Sequence, residues 1–207
     1  MGLVYKKVLS GKALLGLWEI TESLEDLFAT AQMSRSQQEK LLKKVNTKRK
    51  RESLAVQCLV NQMLDENSEI SNNEDGKPFL PNNDYHISIS HSEKYAVVYL
   101  DKGKSAGVDI QKVKPDIGKG IDFFLNSNEQ LWVAKTDFIL INILWSAKES
   151  VYKYAGIKDL DQRNAISVNS FSAKPEGIMT ATFNEENPET ISIHYEVFED
   201  YVLTRTL

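Results

Sequence analysis

Apolar and polar residues follow two different periods along this chain, and the two periods occur in the same order in each half. In the first half, apolar residues recur at helical spacing from Lys48 to Leu64. Alternating apolar and polar residues then predict strands at 87–89 and 95–100. The first half therefore places one long helix before a pair of strands.

The second half repeats this order. A helical pattern runs from Phe138 to Ala155 and stops at Gly156, a residue that commonly ends helices. Strand-like alternation follows at 191–193 and 201–203. The repeat predicts an α+β fold.

The two halves read alike, so we expect two similar α/β subdomains related by a pseudo-twofold. Residues 1–106 are the predicted N-terminal subdomain, and residues 107–207 are the predicted C-terminal one. The segment Gly107-Val108-Asp109-Ile110-Gln111 then lies at their junction. Clefts between domains often bind ligands, so this position favours a functional role for the segment.

Composition narrows the classes of function. A formal net charge of -4 over 207 residues argues against bulk binding to nucleic acid or to an anionic membrane. The longest apolar stretch, 138–145, is too short to span a bilayer, and residues 1–10 do not resemble a secretion signal. The lone Cys58 lies in an apolar helical stretch and is expected to be a buried structural thiol. We therefore expect a cytoplasmic enzyme or binding protein. We also expect it to be a monomer.

Two short segments carry candidate chemistry. In a strand, alternation places Asp109 and Gln111 on one face. In the later segment WSAKESVYK, residues 145–153, a helix places Glu149 and Lys153 one turn apart. If the fold joins the segments, three side-chain oxygens converge beside lysine charge. This arrangement suits a hard divalent cation that holds a phosphate ester.

Each feature taken singly also has a plain structural interpretation. Asp109 fits an exposed strand carboxylate, Glu149 and Lys153 fit a surface ion pair, and His91 fits a turn. A serine hydrolase built on Ser90 and His91 is excluded, because adjacent strand residues point to opposite faces.

Four segments occur in a specific order: GKPFLP at 76–81, SISHS at 88–92, GVDIQ at 107–111 and WSAKESVYK at 145–153. In this order they resemble the signature of the single-chain Sfp-type 4′-phosphopantetheinyl transferases. The resemblance also includes Phe123-Phe124-Leu125 followed by Glu129. It implies the pseudo-twofold α+β fold of that family.

The resemblance implies a reaction. Such enzymes move the 4′-phosphopantetheine group from coenzyme A to a serine of an apo acyl or peptidyl carrier protein, and release adenosine 3′,5′-bisphosphate. It implies Mg²⁺ held by Asp109, Gln111 and Glu149. Glu149 is also expected to take the proton of the attacking serine, directly or through a water, and Lys153 to stabilise phosphate charge. The catalytic residues expected are Asp109, Glu149 and Lys153.

The resemblance also assigns contacts with coenzyme A. These fall on Arg51, Ser53, Lys77, Pro78, Ser90, His91, Lys148 and Lys153. Gln111 departs from the family pattern, in which many members have a third acidic ligand. An amide oxygen adds no negative charge, so weaker metal affinity is expected. The alternatives are that position 111 faces solvent, and that the protein is a non-catalytic relative that binds coenzyme A or a carrier protein.

Overall fold

The chain folds into two units, Met1–Ala106 and Gly107–Leu207, each with its own antiparallel sheet and its own helices. A computed structural model describes residues 2–10, 12–184 and 187–207. The α+β class predicted from the sequence is confirmed. The pseudo-twofold relation stays a prediction.

The first unit holds a six-stranded sheet in the order β1-β2-β6-β5-β4-β3. Its strands are β1 (Leu3–Ser10), β2 (Ala13–Glu19), β3 (Ser71–Asn72), β4 (Pro78–Phe79), β5 (His86–Ser92) and β6 (Tyr95–Asp101). Its helices are α1 (Leu24–Ala31), α2 (Arg35–Leu42) and α3 (Thr47–Leu64). Helix α3 packs on β2 and β6, and apolar residues such as Leu59 and Leu100 form the core of this unit.

The long helix and the strand pair predicted for this half are confirmed as α3, β5 and β6. Helix α3 begins at Thr47 because the side chain of Asn46 accepts hydrogen bonds from the backbone N–H groups of Lys48 and Arg49. The hairpin of β1 and β2 was not predicted. Strand β2 is too apolar on both faces to show alternation, since only Leu14 and Glu19 escape full burial.

Cys58 lies in the core of the first unit, as the sequence predicted, and is 1% exposed. Burial, assisted by the negative charge of Glu22, raises the pKa of its thiol to about 12. The thiol therefore stays protonated and unreactive at neutral pH, which fits a structural role.

The second unit holds a five-stranded antiparallel sheet in the order β7-β11-β10-β9-β8. Its strands are β7 (Val108–Lys112), β8 (Ile166–Val168), β9 (Glu176–Phe183), β10 (Glu189–Phe198) and β11 (Tyr201–Thr206). Its helices are α4 (Ser127–Gln130), α5 (Phe138–Ala155) and α6 (Gln162–Ala165), with a 3₁₀ segment at Ile117–Phe123.

Helix α5 has the predicted bounds and lies across β7 and β11. At its start, the side chain of Asp137 accepts a hydrogen bond from the N–H of Leu140. At its end, Gly156 adopts a left-handed conformation with φ 65°, which glycine tolerates without steric cost. Apolar residues such as Ile141 and Leu144 bury one stripe of the helix in the core of this unit.

Among the described residues, no helix combines the length and the hydropathy that a membrane span requires.

Candidate functional site

Asp109 lies on β7 under α5, with its side chain 8% exposed. Its Oδ1 accepts a hydrogen bond from Lys153 Nζ at 2.7 Å, and its Oδ2 accepts one from Ser146 Oγ at 2.9 Å. Lys153 Nζ also donates to the carbonyl oxygen of Val108 at 3.0 Å. The two motif segments therefore meet in the fold, and Asp109 is not an exposed strand carboxylate.

Gly107 lets α5 approach the start of β7 closely. A Cβ at this position would lie 2.0 Å from the carbonyl oxygen of Ser150, which is backbone and cannot move aside cheaply. The glycine of the GVDIQ segment is thus explained by helix packing, and this packing brings Ser146 and Lys153 within reach of Asp109.

Glu149 projects from the same face of α5 as Ser146 and Lys153, because residues three and four apart in a helix share a face. It is half-buried, and its Oε1 accepts a hydrogen bond from Gln162 Nε2 at 2.9 Å. Gln162 begins α6 and was missed from the sequence, because no local pattern links it to Glu149. A neutral amide thus orients the second carboxylate of the site.

The acidic groups on this face suit a hard cation. Among the described residues, no cluster of three or more Asp, Glu, His or Cys side chains is placed to hold a metal. Two carboxylates, Asp109 and Glu149, remain as the charged donors. Mg²⁺ is commonly bound through one or two carboxylates together with substrate phosphates and water, so this donor set fits Mg²⁺.

Gln111 is 7% exposed, so the alternative that position 111 faces solvent is wrong. Its Nε2 donates to the backbone oxygen of Asn142 at 2.8 Å and lies 3.3 Å from Asn142 Oδ1. Gln111 therefore shares with Asp109 the strand face that meets α5, as the alternation predicted. Its contact with a metal stays a prediction.

Lys148 is fully buried in an ion pair with Glu129, also fully buried, at 2.8 Å. Its Nζ further donates to the carbonyl oxygens of Ile166 at 2.5 Å and Gln162 at 3.3 Å. Burial lowers the pKa of Lys148, and the Glu129 carboxylate opposes that shift. Three partners use the three N–H donors of the ammonium group. This placement contradicts the contact with coenzyme A expected for Lys148.

Glu129 connects three elements around this ion pair. Its Oε2 accepts a hydrogen bond from the N–H of Asn126, the residue that caps α4, and its Oε1 accepts one from the N–H of Val168 on β8. Lys148 adds α5 to the group. The pair is thus part of the framework that holds α5 and the backbone of Gln162 in place.

In the first unit, several residues expected at coenzyme A line one cavity of about 410 Å³. Its polar and charged lining, together with one proline, consists of Gln37, Lys40, Lys44, Ser53, Gln57, Asn72, Pro78 and His91. Lys44 Nζ donates to Ser53 Oγ at 2.5 Å. His91 Nδ1 lies 3.4 Å from Glu52 Oε2, an oxygen that Arg49 also contacts at 3.3 Å. Two lysines make this a cationic cavity.

Three other expected residues of the first unit lie outside this cavity lining: Arg51, Lys77 and Ser90. Ser90 is buried, at 8% exposure. Arg51 donates through Nη2 to the carbonyl oxygens of Ile20 at 3.2 Å and Glu22 at 2.7 Å, so its guanidinium is engaged with the chain that follows β2. The structure therefore does not bring Arg51 together with Ser53 and His91.

Lys77 lines a second cavity, of about 580 Å³, in the same unit. Its Nζ donates to Ser105 Oγ at 2.7 Å, and burial lowers the pKa of its ammonium group. Aromatic side chains including Phe79 and Tyr85 also line this cavity. Pro78 lines both cavities, so they are neighbours within the first unit.

Comparison with known proteins gives two results. Residues 105–206 match the family described as ACPS: 4′-phosphopantetheinyl transferase superfamily. A relative named 4′-phosphopantetheinyl transferase gsp, from Aneurinibacillus migulanus, is 28% identical over 186 residues. The aligned part covers 84% of this chain and 76% of the relative. The family match spans β7 to β11 and includes Asp109, Glu149 and Lys153.

The buried ion pair generates a prediction about stability. We expect Glu129→Gln to lower the free energy of unfolding by about 3–5 kcal/mol, because it leaves the Lys148 ammonium buried without a counter-charge. Urea denaturation measures this change. The matched control is Asp116→Asn, which removes a pair with Lys119 whose side chains are 71% and 83% exposed. The control is expected to lose at most about 1 kcal/mol. Equal small losses in both variants would contradict a structural role for the pair.

Proposed function

Because the chain belongs to the 4′-phosphopantetheinyl transferase superfamily and is a transferase of that group, we propose that its donor is coenzyme A and its acceptor is a serine of an apo acyl or peptidyl carrier protein. The reaction depends on Mg²⁺. The serine oxygen bonds to the phosphorus of the phosphopantetheine, and the bond from that phosphorus to the bridging oxygen breaks. Adenosine 3′,5′-bisphosphate leaves with that oxygen.

The observation that carries this proposal is the grouping of two carboxylates and one lysine on one face of α5 and β7. Asp109 and Glu149 are oxygen donors that would hold Mg²⁺, and Lys153 contacts Asp109 at 2.7 Å. When bound, Mg²⁺ neutralises charge on the diphosphate as its phosphoanhydride bond breaks. Lys153 stabilises the same charge, since an ammonium group at a developing phosphate charge favours the transition state.

Glu149 is the proposed acceptor of the serine proton. It is half-buried and so reachable, whereas the side chain of Asp109 is only 8% exposed and bonded on both oxygens. Gln162 fixes its orientation through Oε1. A positioned general base of this kind contributes roughly 10²–10⁴-fold to a rate.

The cationic cavity of the first unit is the proposed site for a phosphate of the nucleotide part of coenzyme A. Lys40 and Lys44 supply positive charge there, His91 supplies a ring nitrogen that can hydrogen-bond, and Ser53 supplies a hydroxyl. Lys77 and Pro78 line the neighbouring cavity, whose aromatic lining suits a nucleotide base. Contacts of Ser90 and Arg51 with coenzyme A stay predictions.

We favour a catalytic protein over the alternative of a non-catalytic relative, because Asp109, Glu149 and Lys153 are all present in the chain. The monomeric state, the cytoplasmic location and the absence of nucleic-acid and membrane partners stay predictions.

The carboxylates generate the first functional prediction. We expect Asp109→Ala and Glu149→Ala each to remove most transfer, because each deletes a proposed cation ligand. The products are counted by mass spectrometry of an apo carrier protein incubated with coenzyme A and Mg²⁺. Circular dichroism checks that both variants remain folded. Near-normal turnover by either variant at saturating Mg²⁺ would rule out the metal site.

Position 111 generates a second prediction. Gln111→Glu adds a charged oxygen on the strand face of Asp109, so we expect half-maximal transfer at a lower Mg²⁺ concentration, with kcat unchanged or higher. Loss of the hydrogen bond to Asn142 lowers the midpoint of thermal unfolding but does not by itself move the Mg²⁺ titration. Superimposable titrations of the two proteins would remove Gln111 from the site.

The two cavities of the first unit generate a third prediction. We expect His91→Ala and Lys77→Ala to raise the KM for coenzyme A far more than the KM for the carrier protein. The reason is that hydrogen bonds to charged groups are worth roughly 1.5–3 kcal/mol, about a tenfold or larger change in KM. Steady-state kinetics with each substrate varied in turn gives both constants. A larger rise in the KM for the carrier protein would show that these two cavities of the first unit bind the carrier protein instead of coenzyme A.

A further inference from the structure

Three hydroxyl side chains are fully buried where α5 lies on β11: Ser146, Ser150 and Thr204. A hydroxyl in such a place costs free energy unless it is hydrogen-bonded. Thr204 on β11 pairs in register with Asp109 on β7, so the hydroxyls lie directly beside the proposed catalytic carboxylate. The proposed function gives none of them a role.

The three hydroxyls form a continuous series. Ser150 Oγ is 2.6 Å from Thr204 Oγ1, and Thr204 Oγ1 is 3.0 Å from Ser146 Oγ. Ser146 Oγ is in turn 2.9 Å from Asp109 Oδ2. The series therefore ends on one oxygen of the carboxylate, opposite to the oxygen that Lys153 contacts.

The number of protons fixes the direction of donation. An ionised carboxylate only accepts, so the single proton of Ser146 goes to Asp109 Oδ2. Thr204 then donates either to Ser146 Oγ or to the backbone oxygen of Ser146 at 2.8 Å. Ser150 donates either to Thr204 Oγ1 or to the backbone oxygen of Thr204 at 3.1 Å. When the hydrogen bonds join the hydroxyls, they run from Ser150 through Thr204 and Ser146 to Asp109, and successive hydrogen bonds in one direction strengthen one another.

We propose that this hydroxyl chain positions Asp109 for cation binding. It commits Oδ2 to the protein interior, fixes the carboxylate in one orientation and leaves Oδ1, on the Lys153 side, as the oxygen that meets the cation. Ser146 is the residue in contact, and Thr204 and Ser150 act through it. This inference rests on the proposed function, which assigns Asp109 to the metal.

The test measures metal binding without turnover, using Mn²⁺ alone as the probe and electron paramagnetic resonance to count bound ions. We expect Ser146→Ala to weaken Mn²⁺ binding by about 10–100-fold, the usual effect of removing a partner of a metal ligand. Thr204→Val keeps the shape of the side chain and is expected to have a smaller effect. Ser150→Ala is expected to have the smallest, and Ser146→Thr, which keeps the hydroxyl, to bind Mn²⁺ as the unmodified protein does.

Thr206→Val is the matched control. Thr206 is also on β11 and is 1% exposed, but its Oγ1 accepts from the N–H of Gly107 instead of leading to Asp109. A merely structural role for the hydroxyls predicts that Thr206→Val and Thr204→Val lower thermal stability alike and leave Mn²⁺ affinity unchanged. Unchanged affinity in both Ser146→Ala and Thr204→Val would overturn the positioning role.

Asp109→Ala in the same titration separates this inference from the proposed function. Loss of Mn²⁺ binding in Asp109→Ala with normal binding in Ser146→Ala would reject the hydroxyl chain and keep the metal site. Normal binding in Asp109→Ala would reject the metal site itself. Graded loss from Ser150→Ala through Thr204→Val to Ser146→Ala, with Thr206→Val unaffected, supports both.

Discussion

The close packing of α5 on β7 is the constraint on which the candidate site depends. Three contacts repeat along it: Asn142 with Gln111, Ser146 with Asp109, and the Ser150 carbonyl with Gly107. From one contact to the next, the residue number rises by four in the helix and falls by two in the strand. Four helical residues rise about 6 Å and two strand residues about 6.6 Å, so the two repeats stay nearly in register. The site is therefore built on two regular elements in opposite directions, which gives its side chains fixed positions.

Two adjacent residues of the segment WSAKESVYK have different roles: one supports the fold and the other faces the candidate site. Lys148 and Glu149 are adjacent, but successive helical residues point about 100° apart. Lys148 turns into the core to meet Glu129, while Glu149 stays on the face that holds Lys153. A buried ion pair of this kind adds little net stability, yet breaking it by removing one partner is costly. If substitution of Lys148 destabilises the protein strongly, the broken ion pair with Glu129 explains that loss, and no contact between Lys148 and substrate is required.

This division also shows which features the sequence could predict. The bounds of α5, its end at Gly156 and the shared face of Asp109 and Gln111 follow from local period and capping, which the chain shows directly. The burial of Lys148 depends on a partner in another element, and the engagement of Arg51 with two backbone carbonyls depends on the course of the chain after β2. Such contacts leave no periodic signal. A matching motif therefore indicated which residues matter, but it did not separate residues that support the site from those that face it.

Charge balance links the site to the substrates proposed for it. Two carboxylates and one ammonium group, those of Asp109, Glu149 and Lys153, have a formal net charge of -1. The Asp109 carboxylate is nearly buried, and its contact with Lys153 gives it the opposite charge that a buried carboxylate needs. Under the proposed function, Asp109 and Glu149 would hold a divalent cation, which would bring positive charge to the carboxylates. Lys153 would then offer its ammonium group to the phosphate oxygens of the substrate. The Asp109 carboxylate would therefore keep an opposite charge beside it both with and without bound substrate.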